Sequence, residues 1–308
     1  MRAPTSSVPQ RDVRGGPTPN FRSSGPQGSF ARRRQATTKY SNPELASLVV
    51  VPFLVFAFTC YLFAYIYKRL PLLVWSYIAF MLCASATQCR RGAMESYFPS
   101  RFYVALSTLL SLVGAAILGL LVYDFELRPF WFYDGAYAYT NVLPSDDAGG
   151  FVDAGMISFA DEVHLDTART MGYKDVSVYC VTPILDDGGI DVVQFWAAGV
   201  DCCGKRSAFV CDDAWDPKAR SGMVIADVSH FVGDVRDQYM LAVRQAEAAY
   251  SLASAKEPIF VRWVKDPEKV RENYWMMGIG IFLGACAVQA LLSCLAAGLL
   301  HSGLNGLV

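Results

Sequence analysis

Four apolar runs constrain this chain more than any other feature. They cover 45–67, 71–88, 102–123 and 275–300, and each approaches or exceeds the ~18–20 residues that cross a bilayer core. Between the third and fourth lies a polar stretch, 124–274, with 25 acidic and 14 basic side chains and the cysteines Cys180, Cys202, Cys203 and Cys211. The pattern predicts an α-helical membrane protein. Four transmembrane helices would carry a disulfide-linked α+β soluble domain inserted between helices 3 and 4.

Charge is segregated along the chain. Residues 1–44 carry a net +6, residues 45–123 a net +4 and residues 124–274 a net −11, which together give the overall −1. A basic tail near anionic lipid and an acidic soluble module follow from that asymmetry. The tail 1–44 is rich in Pro, Gly, Ser and Arg and has too few apolar residues to offset the entropy of ordering, so it is expected to be disordered. It has no apolar h-region and is not a secretory signal. Its Arg and Ser content resembles an organellar transit peptide, but Pro9, Pro17, Pro19 and Pro26 would interrupt the amphipathic helix such a peptide needs.

Orientation follows from the distribution of Lys and Arg. The tail holds eight and the 89–101 loop three, against two in the 68–70 turn. The N-terminus, that loop and the short C-terminal tail 301–308 are therefore expected in the cytosol of a plasma membrane or endomembrane, with an organellar membrane as the alternative. The 124–274 domain would then be extracytosolic. Arg262, Lys265, Lys269 and Arg271 lie close to the fourth run on the opposite side and count against this orientation.

The four runs contain no Asp, Glu, Lys or Arg. Ion and proton pathways need such groups, which argues against a pump or coupled transporter. Ser107, Ser111, Ala115 and Gly119 recur every four residues in the third run, and Gly280 and Gly284 form a GxxxG in the fourth. Small residues on one face let helix backbones approach, either within the bundle or between copies.

Within the acidic stretch, Val176–Leu185, Asp191–Val200 and Ser207–Cys211 are rich in Val and aromatic residues and are separated by Asp/Gly turns. They read as strands in hairpin order, with Met156–Leu165 as a further candidate. Asp234–Ala255 has apolar residues at helical spacing with Asp234 as N-cap, Ile259–Val264 is a short strand, and Asp266-Pro267 opens a helix that runs toward the fourth span.

Four cysteines in an exported domain imply two disulfides. Adjacent Cys202 and Cys203 are poor partners for each other, so one is expected to join Cys180 and the other Cys211, with the assignment open. The spacing does not match the paired C-x2-C knuckles of structural zinc sites. Cys60, Cys83, Cys286 and Cys294 read as packing residues, and Cys89, next to Arg90, as a candidate for S-acylation.

Four spans, cytosolic termini, a large loop between the third and fourth, and Cys202-Cys203-Gly204 within it resemble the tetraspanin pattern. The resemblance implies a loop that binds partner proteins and spans that organise membrane assemblies. The chain departs from the pattern in three respects: Cys180 precedes the CCG, its surroundings read as strands, and the first extracellular loop is nearly absent.

Catalytic signatures are weak. Asp146-Asp147 and Asp186-Asp187, each followed by glycines, are candidate Ca²⁺ ligands, but Asp-Gly is also common turn chemistry. Asp212, Asp213 and Asp216 form a third acidic group, and His164 lies among Asp161, Glu162 and Asp166. The sequence lacks G-x-S-x-G, H-E-x-x-H and a phosphate-binding glycine loop. Thr37, after Arg33-Arg34, is a candidate phosphorylation site. The expected role is a non-enzymatic membrane scaffold or receptor-like protein with no cofactor. Its partners would be the lipid bilayer and a protein bound through 124–274 or the helix faces, and no nucleic acid. An accessory subunit of a larger complex or channel is the alternative, and a metal-dependent membrane enzyme a weaker one.

Overall fold

The computed structural model describes residues 42–94, 99–188, 191–204, 208–225 and 235–305. The basic tail up to residue 41, Thr37 within it, His230 and Asp234 lie outside the described residues.

Four helices are long and apolar enough to span a membrane; each begins at or before the apolar window read from sequence, and three of them also end beyond it. α1 covers Asn42–Tyr61 and continues through a π turn at Leu62–Ile66. Pro52 sits inside it without ending it. After a tight turn in which the Leu70 N–H bonds the Ile66 carbonyl, α2 (Pro71–Met94) begins on a proline, a residue suited to a first helical position. α3 (Pro99–Val122) passes through a second π turn at Tyr123–Leu127 into α4 (Arg128–Gly135). The last helix, α6, runs from Pro267 to Asn305, about 58 Å at the rise of an ideal helix. Hydropathy marks only the part of a helix that matches lipid, so the polar ends of α2, α4 and α6 fell outside the runs.

In the bundle, α3 packs between α1 and α2, and α6 lies mainly along α1. Phe63, Val74, Leu112, Ala115 and Leu127 are its most enclosed apolar residues. Gly119 faces Phe63 so closely that a Cβ would lie 2.3 Å from the ring. At the end where the sheet begins, Trp275 packs against Tyr65, Phe130 and Trp131, with the Lys68 ammonium 4.5 Å from the Trp131 ring centre.

Between α4 and α6 the chain forms an eight-stranded mixed sheet. Its strands are β1 (Tyr137–Val142), β2 (Ala154–Phe159), β3 (His164–Leu165), β4 (Met171–Lys174), β5 (Val178–Leu185), β6 (Val193–Val200), β7 (Ser221–Val224) and β8 (Ser254–Val264). The order across the sheet is β1-β2-β7-β8-β6-β5-β3, with β4 also paired to β5. β1/β2 and β6/β8 are parallel, and the remaining pairs are antiparallel. The β5–β6 hairpin matches the sequence reading, whereas Met156–Leu165 is two strands rather than one. Of the expected strand Ser207–Cys211, Ser207 lies outside the described residues, and 208–211 is not a strand but a loop held by a disulfide. β1, β4 and β7 were not foreseen.

β6 and β8 are buried on both faces. Phe195, Ala197, Val261 and Trp263 point to one side, with Cys180, Ile157 and Phe159. Trp196, Ala198 and Phe260 point to the other, beneath Tyr239, Ala242, Val243 and Ala246 of α5 (Arg236–Tyr250). α5 ends earlier than its periodicity predicted because Ser251 adopts a left-handed conformation, φ 55°, and Ser254 and Ala255 enter β8. A further cluster, Met156, Met223 and Val264 with Tyr133 of α4 and Val270 and Tyr274 of α6, seats the sheet on the helix ends.

Candidate functional site

At the end of β6, Asp201 has a left-handed backbone, φ 55°. Its carboxylate accepts the Val178 N–H at 2.8 Å and its own N–H donates to the Val178 carbonyl at 2.7 Å, tying the corner to β5. The next two residues diverge: Cys203 bonds Cys180 and Cys202 bonds Cys211. Sheet register explains how two bridges fit on one face. Cys180 pairs with Gly172 of β4 on one side and Gly199 of β6 on the other. A Cβ at Gly199 would stand 2.6 Å from the sulfurs of both Cys202 and Cys211, and one at Gly172 3.1 Å from that of Cys203. A Gly-Cys-Gly row across three strands thus clears the space the sulfurs fill. The sulfurs of Cys180, Cys202 and Cys211 lie within 4.8 Å of one another, but all three are spent in disulfides and offer no thiolate to a metal.

The loop after Cys211 carries the third acidic group, with each aspartate occupied. Asp212 accepts two hydrogen bonds from the Arg262 guanidinium, at 2.6 and 3.2 Å, and that guanidinium also donates to the Tyr274 hydroxyl at 2.9 Å. Asp213 accepts the Lys265 N–H at 2.9 Å, and Asp216 accepts the Lys265 ammonium at 2.8 Å. Arg262 and Lys265, two of the four basic residues that count against the predicted orientation, therefore join β8, this loop and α6. Asp212 hydrogen bonding raises the Arg262 pKa further. On this braced loop Trp215 is 76% exposed.

Several groups here set the response to pH. Asp201 is held below the usual carboxylate range by the Val178 N–H and then the Ser177 hydroxyl, and Asp216 by Lys265 and then the Lys218 N–H. A depressed carboxylate contributes stability above its unfolded value, ~4, and loses it as pH falls through the lower folded value. Burial pushes Tyr239 up to about 12, so its contribution is present below its unfolded value, ~10, and is lost as pH rises through about 12. The thermal midpoint is thus expected to be level between these limits and to fall on both sides. Asp201→Asn should make the acid limb shallower, with Asp216 still contributing, and leave the alkaline limb in place, as read by circular dichroism at stepped pH.

One charged pair was missed by reading the runs alone. Asp124, one residue beyond the third run, lies in the second π turn, buried, with Arg128 at 3.0 Å. The i,i+4 spacing of opposite charges was its available signal.

The remaining candidates fall apart into local roles. Asp146 accepts the Leu143 N–H at 2.9 Å, Asp147 the Gly149 N–H at 3.2 Å, and Asp186 the Gly188 N–H at 3.1 Å. These carboxylates serve their own turns. Asp187 stands 3.8 Å from the exposed His164. Among the described residues, the one set of three His, Cys, Asp or Glu side chains close enough to share an ion is the cysteine set. In α3, Ser107 bonds its own helix through the Val104 carbonyl. Ser111 accepts from the Gln289 amide of α6 at 2.6 Å, and Ala115 and Gly119 are packed as described. Gly280 and Gly284 have open space where a Cβ would stand, so among the described residues they are not at a helix contact.

No family model matches the chain, and no curated protein and no solved structure does either. The tetraspanin resemblance accordingly rests on the four runs and Cys202-Cys203-Gly204 alone, and the sheet around those cysteines is the main departure from it.

Proposed function

We propose that the chain is a four-pass integral membrane protein that holds its disulfide-linked domain outside the cytosol and binds a protein partner through it. Membrane insertion is supported by the large apolar side chains the helices leave uncovered, among them Phe80, Leu110, Leu283 and Leu299, each at least 64% exposed and each matched to lipid. The aromatic cluster around Trp275 stands where an interfacial belt is expected. The sheet rests on α4 and α6, so the domain is presented on helices rather than on a flexible tether.

Partner binding rests on Trp215. A tryptophan left in water on a soluble domain is costly, and indoles are enriched at the centres of protein interfaces. The loop bearing it is fixed by the Cys202–Cys211 bridge and by Arg262 and Lys265, so little ordering is lost on binding. The partner would offer an apolar pocket for the ring with a polar rim. Trp215→Ala is expected to weaken co-purification of that partner from mild detergent at least ~30-fold, the size of an interface hot spot, with the thermal midpoint unchanged. Undiminished recovery of every co-purifying protein would remove this reading.

A second reading, a fixed subunit of a larger membrane complex, is favoured by the open face at Gly280 and Gly284 on α6. A constant stoichiometric complex in mild detergent that survives Trp215→Ala supports it over the first.

A further inference from the structure

The two disulfides form one sulfur cluster rather than two separate staples. Because Cys202 and Cys203 are neighbours in the chain yet bond different partners, the bridges lie side by side. Three sulfurs drawn from both bridges, those of Cys180, Cys202 and Cys211, are mutually within 4.8 Å. Gly199 and Gly172 keep the sheet surface beneath them free of side chains. One flank of the cluster meets a cavity. Beyond Ala197 and Val261 the β6–β8 pairing ends, and a cavity of about 300 Å³ lies among the residues that follow. Cys202 and Cys211 line it with Val200, Tyr239 and Arg262. Of the two, Cys202 is half-buried and Cys211 is buried, so Cys202 is the more open end of that bridge; Cys180 and Cys203 do not line the cavity, Cys180 being fully buried and Cys203 half-buried.

We propose that this cluster is a thiol–disulfide exchange centre, in which Cys202–Cys211 is opened from the cavity by an external dithiol and Cys180–Cys203 is the inner bridge that exchanges with it. In the first step a thiolate of the dithiol attacks one sulfur of Cys202–Cys211. That S–S bond breaks, a mixed disulfide forms, and the other cysteine leaves as a thiolate. The second thiol of the reagent then closes on the mixed disulfide. The dithiol departs as its own disulfide, oxidised by two electrons, and Cys202 and Cys211 are left reduced, having taken up its two protons. In the second step the Cys211 thiolate, already beside Cys180, attacks the Cys180 sulfur. The Cys180–Cys211 bond forms, Cys180–Cys203 breaks, and Cys203 leaves as the thiolate. Cys202 can make the same attack to give Cys180–Cys202. This step is an isomerisation with no net change of oxidation state. Its requirement is a thiolate next to a disulfide sulfur, which the packing of the two bridges supplies. The result is a transfer of reducing equivalents from the cavity to Cys203, away from the cavity. The idea does not depend on the partner of Trp215.

The test uses the full chain in detergent micelles. In Cys203→Ser the Cys180 thiol lies free beside the Cys202–Cys211 bridge. Peptide mapping after an acid quench is expected to find Cys180–Cys202 or Cys180–Cys211 in roughly a tenth of the molecules or more, as exchange between bridges of similar stability requires. Cys180 found only as a thiol, with Cys202–Cys211 intact throughout, would overturn the proposal. Should that variant lose its sheet signal in circular dichroism, the native chain decides. It is treated with one equivalent of dithiothreitol, trapped with acid and alkylated. The expected result is cross-paired Cys180–Cys202 or Cys180–Cys211 with Cys203 alkylated. Recovery of the two original bridges alone, each either closed or simply opened, is the contrary result.

Discussion

Replacing Cys180 and Cys202 with serine together is expected to unfold the sheet domain and leave the four apolar helices formed. The bridges close loops between residues 23 and 9 apart in sequence. In the chain-entropy model each contributes about 3 kcal/mol, with a weak dependence on loop length. Their joint loss, about 6 kcal/mol, falls within the 5–15 kcal/mol that holds an ordinary domain together. The structure gives little to offset it. On the cysteine face the sheet is covered by loops and one 3-10 turn, Ala148–Phe151, rather than by an α-helix, and Phe209 and Ala219 reach that core from the loop that Cys211 anchors. Unfolding should expose Trp196, which is fully buried, so a red shift of fluorescence with retained helical circular dichroism is the expected signature. Native fluorescence and an unchanged midpoint in the double variant would mean that the bridges are ornamental.

The second large effect belongs to the bundle. Gly119→Leu should separate α3 from α1, because the first added carbon already lies 2.3 Å from the Phe63 ring. Phe63 is fully enclosed and cannot turn away. Overpacking costs about 1–3 kcal/mol where neighbours adjust, and more where they do not. At roughly 2–4 °C per kcal/mol for a chain of this size, the midpoint in detergent should fall by several degrees or more. Gly280→Leu is the matched control. It adds the same side chain to a site with no described residue nearby, so the isolated chain should keep its midpoint to within about 0.5 kcal/mol. Equal loss in the two variants would contradict the packing described for α3.

The helices were legible because apolar runs of that length have few other uses, and the two disulfides because four cysteines in one acidic stretch need partners. Other features were hidden for identifiable reasons. The pairing of Cys202 and Cys203 depends on the turn at Asp201 and on glycines that are neighbours of Cys180 only across the sheet; neither has a signature along the chain. β7 is Ser221-Gly222-Met223-Val224, too short and too rich in small residues to read as a strand. β1, at the sheet edge, is mostly exposed and shows no apolar alternation. Phe209–Cys211 had strand-like composition, but the loop closed by Cys202–Cys211 overrides local propensity. Asp146, Asp147 and Asp186 accept neighbouring N–H groups as turn formers do, whereas Asp187 lies toward His164. Asp212 and Asp216 gave no hint that their partners, Arg262 and Lys265, lay about fifty residues away.

The central claim is that the helices cross a membrane and carry the disulfide-linked domain to its far side. The most direct measurement is labelling with a membrane-impermeant maleimide on intact and permeabilised cells, with and without reductant, followed by peptide mapping. Cys180, Cys202, Cys203 and Cys211 are predicted to be unreactive on intact cells until reductant is added and to label from outside once it is. Cys89, at the opposite end of the bundle, should label only after permeabilisation. Labelling of the four domain cysteines as free thiols from the cytosolic side alone would contradict the account.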